Sequence, residues 1–237
     1  MKVSMMCICV IGLSVKADSV ITAAGQQTGT LSLKNGALLI NSKAIKWNAL
    51  HFVHRDIKPR FTAPDFLFLR NGERWAGRII GLKNNKLIMF VEPLGRHEID
   101  AQLIAAISFH TGRRLTKLKT GRAYRLSGKP VSGQLVALDT RQIQLKTALG
   151  RFNFAREELA GYVFAAAAEE GPADKDHLAL VNGALLFGEA SLNNNDVLLK
   201  HSNLGSIRLG LKAIHYLRRA NTPTLRESFQ RIQGNNE

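Results

Sequence analysis

The sequence predicts an all-β protein: tandem five-stranded antiparallel repeats, each a meander or small barrel, followed by a short C-terminal helix. Glycines recur in step three times, at Gly72, Gly128 and Gly183, then at Gly77, Gly133 and Gly188, then at Gly95, Gly150 and Gly205. Between them apolar and polar residues alternate, as in Gln142-Ile143-Gln144-Leu145-Lys146 and Ser206-Ile207-Arg208-Leu209. That period of two marks half-buried antiparallel strands. Hydrophobic residues make up 45% of the 237 but aromatics only 7%, so the core must be built from aliphatic side chains.

The elements follow in chain order. Residues 1–17 combine Lys2, an almost unbroken apolar run from Val3 to Val15, and Val15 and Ala17 at the −3 and −1 positions of a cleavage site. This is the pattern of a secretory signal peptide. The run is shorter than the roughly 20 residues that span a bilayer. Cleavage after Ala17 would remove Cys7 and Cys9, the two cysteines. The predicted location is therefore exported, periplasmic or secreted. A degenerate repeat covers 18–55, with Gly29 as its second glycine and Asn41 in place of the third. Full repeats cover 66–109, 122–164 and 177–219.

Asn71-Gly72 and Asn182-Gly183 read as two-residue hairpin turns, in which both residues need positive φ. Ser127-Gly128 fills the same place. Asn84-Asn85, Asp139-Thr140 and Asn194-Asn195 mark a second turn; Leu94-Gly95, Leu149-Gly150 and Leu204-Gly205 mark a third. Gly77, Gly133 and Gly188 fall inside strands and predict a bend or bulge there. A unit of about 45 residues buries too little surface to be stable alone, so the copies should pack together or share sheet edges. The linker at 54–64 is polar, that at 110–121 is basic, and that at 165–176 begins as a helix and breaks at Gly171-Pro172. Over 223–233, Thr224 and Glu227 form a capping box, and Leu225, Phe229 and Ile232 share one helical face.

The order of apolar strand, Asn-Gly, strand with Gly-x-Leu or Gly-x-Ile, turn, strand, Leu-Gly, strand resembles secreted tandem β-repeat proteins of planctomycete-type bacteria. The likeness covers 66–217 and, loosely, 20–53. It implies an exported module and brings no catalytic residues. Gly133-Gln134-Leu135-Val136-Ala137-Leu138-Asp139 is similar to the first motif of the Sm-like small barrel. RNA-binding members pair that motif with an Arg-Gly near the end. The last strands here read Leu103-Ile104-Ala105-Ala106, Leu159-Ala160-Gly161-Tyr162 and Ala213-Ile214-His215-Tyr216, so the likeness implies the barrel and not the uridine pocket.

Reactive motifs are few. His54-Arg55-Asp56 reads like the catalytic loop of a protein kinase, but Phe61 stands where that loop needs a metal-binding Asn. His51 and His54 are three apart, which in a strand puts them on opposite faces. His97, His110, His177, His201 and His215 are scattered, with no acid at a useful spacing. Within the aligned segments glycine, turn asparagine and apolar spacing recur, and no Asp, Glu, His, Ser or Lys does. Such a pattern specifies a backbone and not a reaction. The expectation is a non-enzyme with no cofactor and no metal.

Lys and Arg number 33 against 18 acids, a formal charge of +15. Such an excess favours anionic partners. The densest positive stretch, Arg113, Arg114, Lys117, Lys119, Arg122, Arg125 and Lys129, is the candidate anion-binding strip. Trp47, Trp75 and Tyr124 could stack on sugars if exposed. The reading is a binding or scaffolding module of the cell envelope, with an anionic polymer or another protein as partner and a membrane met only by surface attraction. Export disfavours nucleic acid. An Sm-like nucleic-acid binder is the alternative, and an enzyme with a site between repeats stands behind it. The oligomeric state stays open.

Overall fold

Alternating sequence becomes strand wherever turns permit, and the computed structural model describes residues 17–60, 63–91, 94–109, 115, 118–168 and 171–223. The first unit holds β1 (Asp18–Thr22), β2 (Gly25–Gly29), β3 (Leu31–Lys34), β4 (Ala37–Ile40), β5 (Lys43–Ile45) and β6 (Leu50–His54). The second holds β7 (Asp65–Leu69), β8 (Arg74–Lys83), β9 (Lys86–Val91), β10 (Gly95–Asp100) and β11 (Ile104–Phe109). The third holds β12 (Arg122–Arg125), β13 (Val131–Ser132), β14 (Gln134–Leu138), β15 (Gln142–Thr147), β16 (Gly150–Ala155) and β17 (Leu159–Val163). The fourth holds β18 (Asp176–Leu180), β19 (Leu185–Asn193), β20 (Asp196–His201), β21 (Gly205–Gly210) and β22 (Ile214–Arg218). The protein is all-β with antiparallel sheets. The predicted leader and C-terminal helix lie, apart from Ala17 and Pro223, outside the described residues.

Each unit closes in the same way. A three-residue 3-10 turn precedes its last strand, at Trp47–Ala49, Ala101–Leu103, Arg156–Glu158 and Leu211–Ala213. The last strand then returns to pair with the first: β6 with β1, β11 with β7, β17 with β12 and β22 with β18. The second strand forms the corner between the first and the third. Gly77 faces Asp65 on one side and Val91 on the other. A Cβ at Gly77 or Gly188 would run into the carbonyl oxygen of Phe90 or Lys200. The strand bends at this glycine in the second and fourth units. In the first and third it breaks, into β2 and β3 or β13 and β14.

Two local expectations are corrected. Gly72 and Gly183 take positive φ, at 94° and 93°, but Asn71 and Asn182 do not. The loops are three residues long: Leu69 N–H donates to the Glu73 carbonyl, and Gly72 N–H donates to the Leu69 carbonyl. This is a type I turn completed by a left-handed glycine. Each asparagine instead accepts the N–H two residues on, Glu73 and Ala184, both at 3.0 Å. The second correction concerns Ala165–Ala168, which is not helical. The N–H groups of Phe164 and Ala165 donate to the Ala105 carbonyl, and that of Ala168 to Arg70. Tertiary pairing overrides the helix preference of alanine, which is weak.

The units share sheet edges in a nested order. β22 pairs with β6, joining the fourth unit to the first, and β11 pairs with β17, joining the second to the third. Both junctions are centred on the same place. Leu217 faces Val53 and Ile107 faces Tyr162, and each of these is the fourth residue of its strand. Like-for-like pairing is the signature of a two-fold interface. Two single bridges, Arg74 with Leu185 and Leu82 with Leu138, link the second unit to the fourth and to the third. These pairings run 1–4–2–3 through the units. One continuous core results, with Leu50, Leu67, Trp75, Ile79, Leu87, Phe109 and Ile143 buried.

Candidate functional site

Polar groups inside an aliphatic core must be paired, because each unpaired one costs about 1–3 kcal/mol. The corner of the second strand creates such a need, since the N–H two residues past its glycine turns away from the ladder. In three units an aspartate at the start of the first strand meets it. Asp18 accepts Leu31 N–H at 3.2 Å, Asp65 accepts Ile79 N–H at 2.7 Å and Asp176 accepts Ala190 N–H at 2.6 Å. In the outer two units the other carboxylate oxygen takes the backbone after the last strand, from Asp56 at 3.0 Å and Ala220 at 2.7 Å. Arg55 and Arg219 complete these clips at 3.7 Å and 3.3 Å.

The second unit has Phe109 where those arginines stand, and Arg156 arrives from the third unit instead. Its guanidinium pairs with Asp65, donates to the Ile79 carbonyl at 2.9 Å and lies 4.5 Å over the Phe109 ring. The third unit has no aspartate at this place. There the Tyr162 hydroxyl accepts Leu135 N–H at 3.3 Å and donates to the Gly133 carbonyl at 2.8 Å. Burial pushes the Tyr162 phenol up, against the opposing pull of that Leu135 bond, and so keeps it able to donate. An acid therefore does recur at matched positions, contrary to expectation. It escaped the self-comparison because the full repeats begin at residues 66, 122 and 177, one residue past Asp65 and Asp176. Its work is structural.

Arg55 and Asp56 of the kinase-like motif are absorbed by this clip, and Arg55 also donates to the Leu211 carbonyl at 2.7 Å. His201, expected to lack an acid, meets Glu73 from 128 residues away, at 2.9 Å. Its Nδ1 accepts the N–H groups of Asn203 and Leu204, which places the ring proton on Nε2 facing Glu73. Glu73 also accepts Phe187 N–H at 3.0 Å and the Trp75 indole at 3.3 Å. This buried cluster joins the second and fourth units. At the other junction the His54 and His215 rings stand edge to face at 5.2 Å. Burial lowers the pKa of both; His215 lowers His54 further, while Asp56 and Asp18 oppose it.

Neither tryptophan is a free stacking platform. Trp75 is buried, and Trp47 donates to the Ala190 carbonyl at 3.3 Å beneath the Arg219 guanidinium at 4.6 Å. Tyr124 donates to the Lys119 carbonyl at 3.0 Å. Among the described residues no three His, Cys, Asp or Glu side chains gather to hold a metal. A groove of about 510 Å³ lies beside β8 and β9, lined by Ala63, Pro64, Ala76, Gly77, Arg78, Ile80, Phe90 and Asn182. Its walls carry one guanidinium and no acid.

The exposed charge is cationic in balance, although acids such as Asp100, Asp139, Glu157 and Glu189 are exposed too. Lys119, Arg125 and Lys129 are exposed and Arg122 is half-buried, along β12 and its turn. Arg125 reaches Glu158 at 3.9 Å. Arg113, Arg114 and Lys117 lie outside the described residues. A second concavity of about 380 Å³ brings Lys83, Lys86 and Arg96 around one acid, Glu98. Sequence reading missed it because strand pairing, which sets Lys86 opposite Asp100 and Arg96 opposite Phe90, gathers residues that are far apart in the chain. These surfaces can hold anions and offer no paired acid and base. No family model and no curated protein matches the chain.

Proposed function

We propose that this chain is an exported, non-catalytic module that binds or scaffolds at the cell envelope, through an anionic polymer or an acidic protein face. One observation carries the reading: the buried carboxylates of Asp65, Glu73 and Asp176 and the half-buried one of Asp18 are all engaged in holding backbone, while the exposed excess is Lys and Arg. Binding of the full chain to soluble dextran sulfate at low and high salt tests it. Affinity should fall steeply as salt rises, since screening weakens exposed charge pairs. Salt-independent binding would remove the electrostatic part, and cytoplasmic fractionation would remove the export. In each unit the last strand follows a 3-10 turn and returns to pair with the first, an order in keeping with a small barrel. That supports a second reading, an Sm-like nucleic-acid binder, which predicts tight binding of a single-stranded oligonucleotide by a cytoplasmic chain.

A further inference from the structure

The third turn of each full unit carries a leucine before its glycine: Leu94, Leu149 and Leu204. Leu94 and Leu204 pack against the core. Leu149 is 90% exposed, the most exposed large apolar side chain among the described residues. The loop explains the difference. β9 and β10 close at Val91–Gly95, and β20 and β21 at His201–Gly205, which leaves three residues at each tip. β15 and β16 close at Thr147–Gly150, leaving only Ala148 and Leu149. A two-residue tip gives the leucine no slack to fold back. The tip is also tied: Thr147 Oγ1 accepts Leu149 N–H at 3.1 Å and donates to the Gly150 carbonyl at 3.2 Å.

The surroundings are amphipathic. Phe152 on the same hairpin is 43% exposed, where its counterpart in the fourth unit, Ile207, is 4% exposed. Lys146 and Arg151 face each other across the hairpin and are both exposed. Gly133 lies against the Lys146 carbonyl and its N–H donates to the Gly121 carbonyl; Leu118 and Lys119, shortly before Gly121 in the chain, are exposed. Residues 110–164 hold eleven Lys and Arg against three acids, a net +8 out of +15. A hydrated polymer would use the cations and gain nothing from the leucine. A lipid surface uses both, with apolar side chains at the acyl boundary and cations at the headgroups.

We propose that the β15–β16 hairpin is a membrane anchor, Leu149 and Phe152 entering an anionic lipid bilayer while Lys146 and Arg151 hold its headgroups. This rests on the anionic-partner reading and names the source of the charge. The full chain is tested by sedimentation with vesicles of equal phosphatidylglycerol and phosphatidylcholine, beside soluble dextran sulfate. Leu149→Ser should weaken vesicle binding about tenfold, the worth of one buried leucine, and leave dextran sulfate binding unchanged. Lys146→Gln with Arg151→Gln should weaken it further, about fivefold per charge. Wild-type vesicle affinity in Leu149→Ser would overturn the anchor while leaving the wider reading intact. A wild-type chain that binds neither probe at low salt would overturn both. A dimer that Leu149→Ser turns into a monomer would also overturn the anchor, assigning the tip to a second copy.

Discussion

The outer pair of units, first and fourth, and the inner pair, second and third, use one strand register with different fastenings. In the outer pair each aspartate is clipped by its own unit's arginine, Asp18 by Arg55 and Asp176 by Arg219. In the inner pair Asp65 borrows Arg156 from its neighbour, and the remaining unit uses the Tyr162 hydroxyl. The need is constant, an inward N–H two residues past a corner glycine. The group that meets it is interchangeable. Duplicated units can thus exchange a self-contained clip for one that crosses the junction, which makes folding of one unit depend on the next.

The largest effect should come from the crossing clip. Asp65→Ala leaves the half-buried Arg156 without its charge partner and the buried Ile79 N–H unmet, and should cost about 3–5 kcal/mol. Asp18→Ala, whose side chain is 14% exposed, should cost about 1–3 kcal/mol. Urea unfolding of both variants measures the difference, and equal losses would erase the distinction between the pairs. Next comes the corner. Gly77→Ala should cost about 3 kcal/mol, because its new methyl meets the Phe90 backbone. Gly133→Ala should cost about 1 kcal/mol, because a Cβ there sits 3.0 Å from the Lys146 carbonyl and the strand is already broken. Tyr162→Phe removes one acceptor and one donor and should cost about 1–2 kcal/mol; Thr or Asn would restore neither at that reach.

The smallest effect separates the pairs by pH. His54 and His215 have pKa values held below 6.5, chiefly by burial. Below that value the unfolded chain takes up protons that the folded outer junction refuses. Stability at the β6–β22 junction is therefore full above 6.5 and falls as pH drops through the folded values. β11 and β17 contain no histidine. Amide protection, corrected for the intrinsic exchange rate at each pH, should fall in β6 and β22 on acidification while that in β11 and β17 holds steady, and an equal fall would contradict the assignment.

Much of this frame was legible in the glycines. Gly72, Gly77 and Gly95 with their two sets of counterparts mark two turns and a corner, because positive φ and close backbone approach exclude other residues. Asn84 and Asn85 take positive φ as their pairing suggests, at 51° and 60°. The clip lay at the margin: Asp65 and Asp176 stand before the apolar run that anchors the alignment, and Tyr162 looks like any core aromatic. The Glu73–His201 pair could not be read, since 128 residues of chain separate it. Nor could the nesting. β11 and β17 are buried along their whole length, and β6 and β22 set two histidines and one histidine with one arginine among apolar residues; nothing in those patterns selects a partner.

Disulfide trapping addresses that nesting, in a chain with Cys7 and Cys9 changed to serine. Paired strand residues have Cα atoms about 4.5–5.5 Å apart, within disulfide reach. Val53→Cys with Leu217→Cys should oxidise to an intrachain bond, and Val53→Cys with Ile107→Cys should stay reduced. A bond between positions 53 and 107, with none between 53 and 217, would mean that neighbours in sequence pair in order, and the nested arrangement would be wrong.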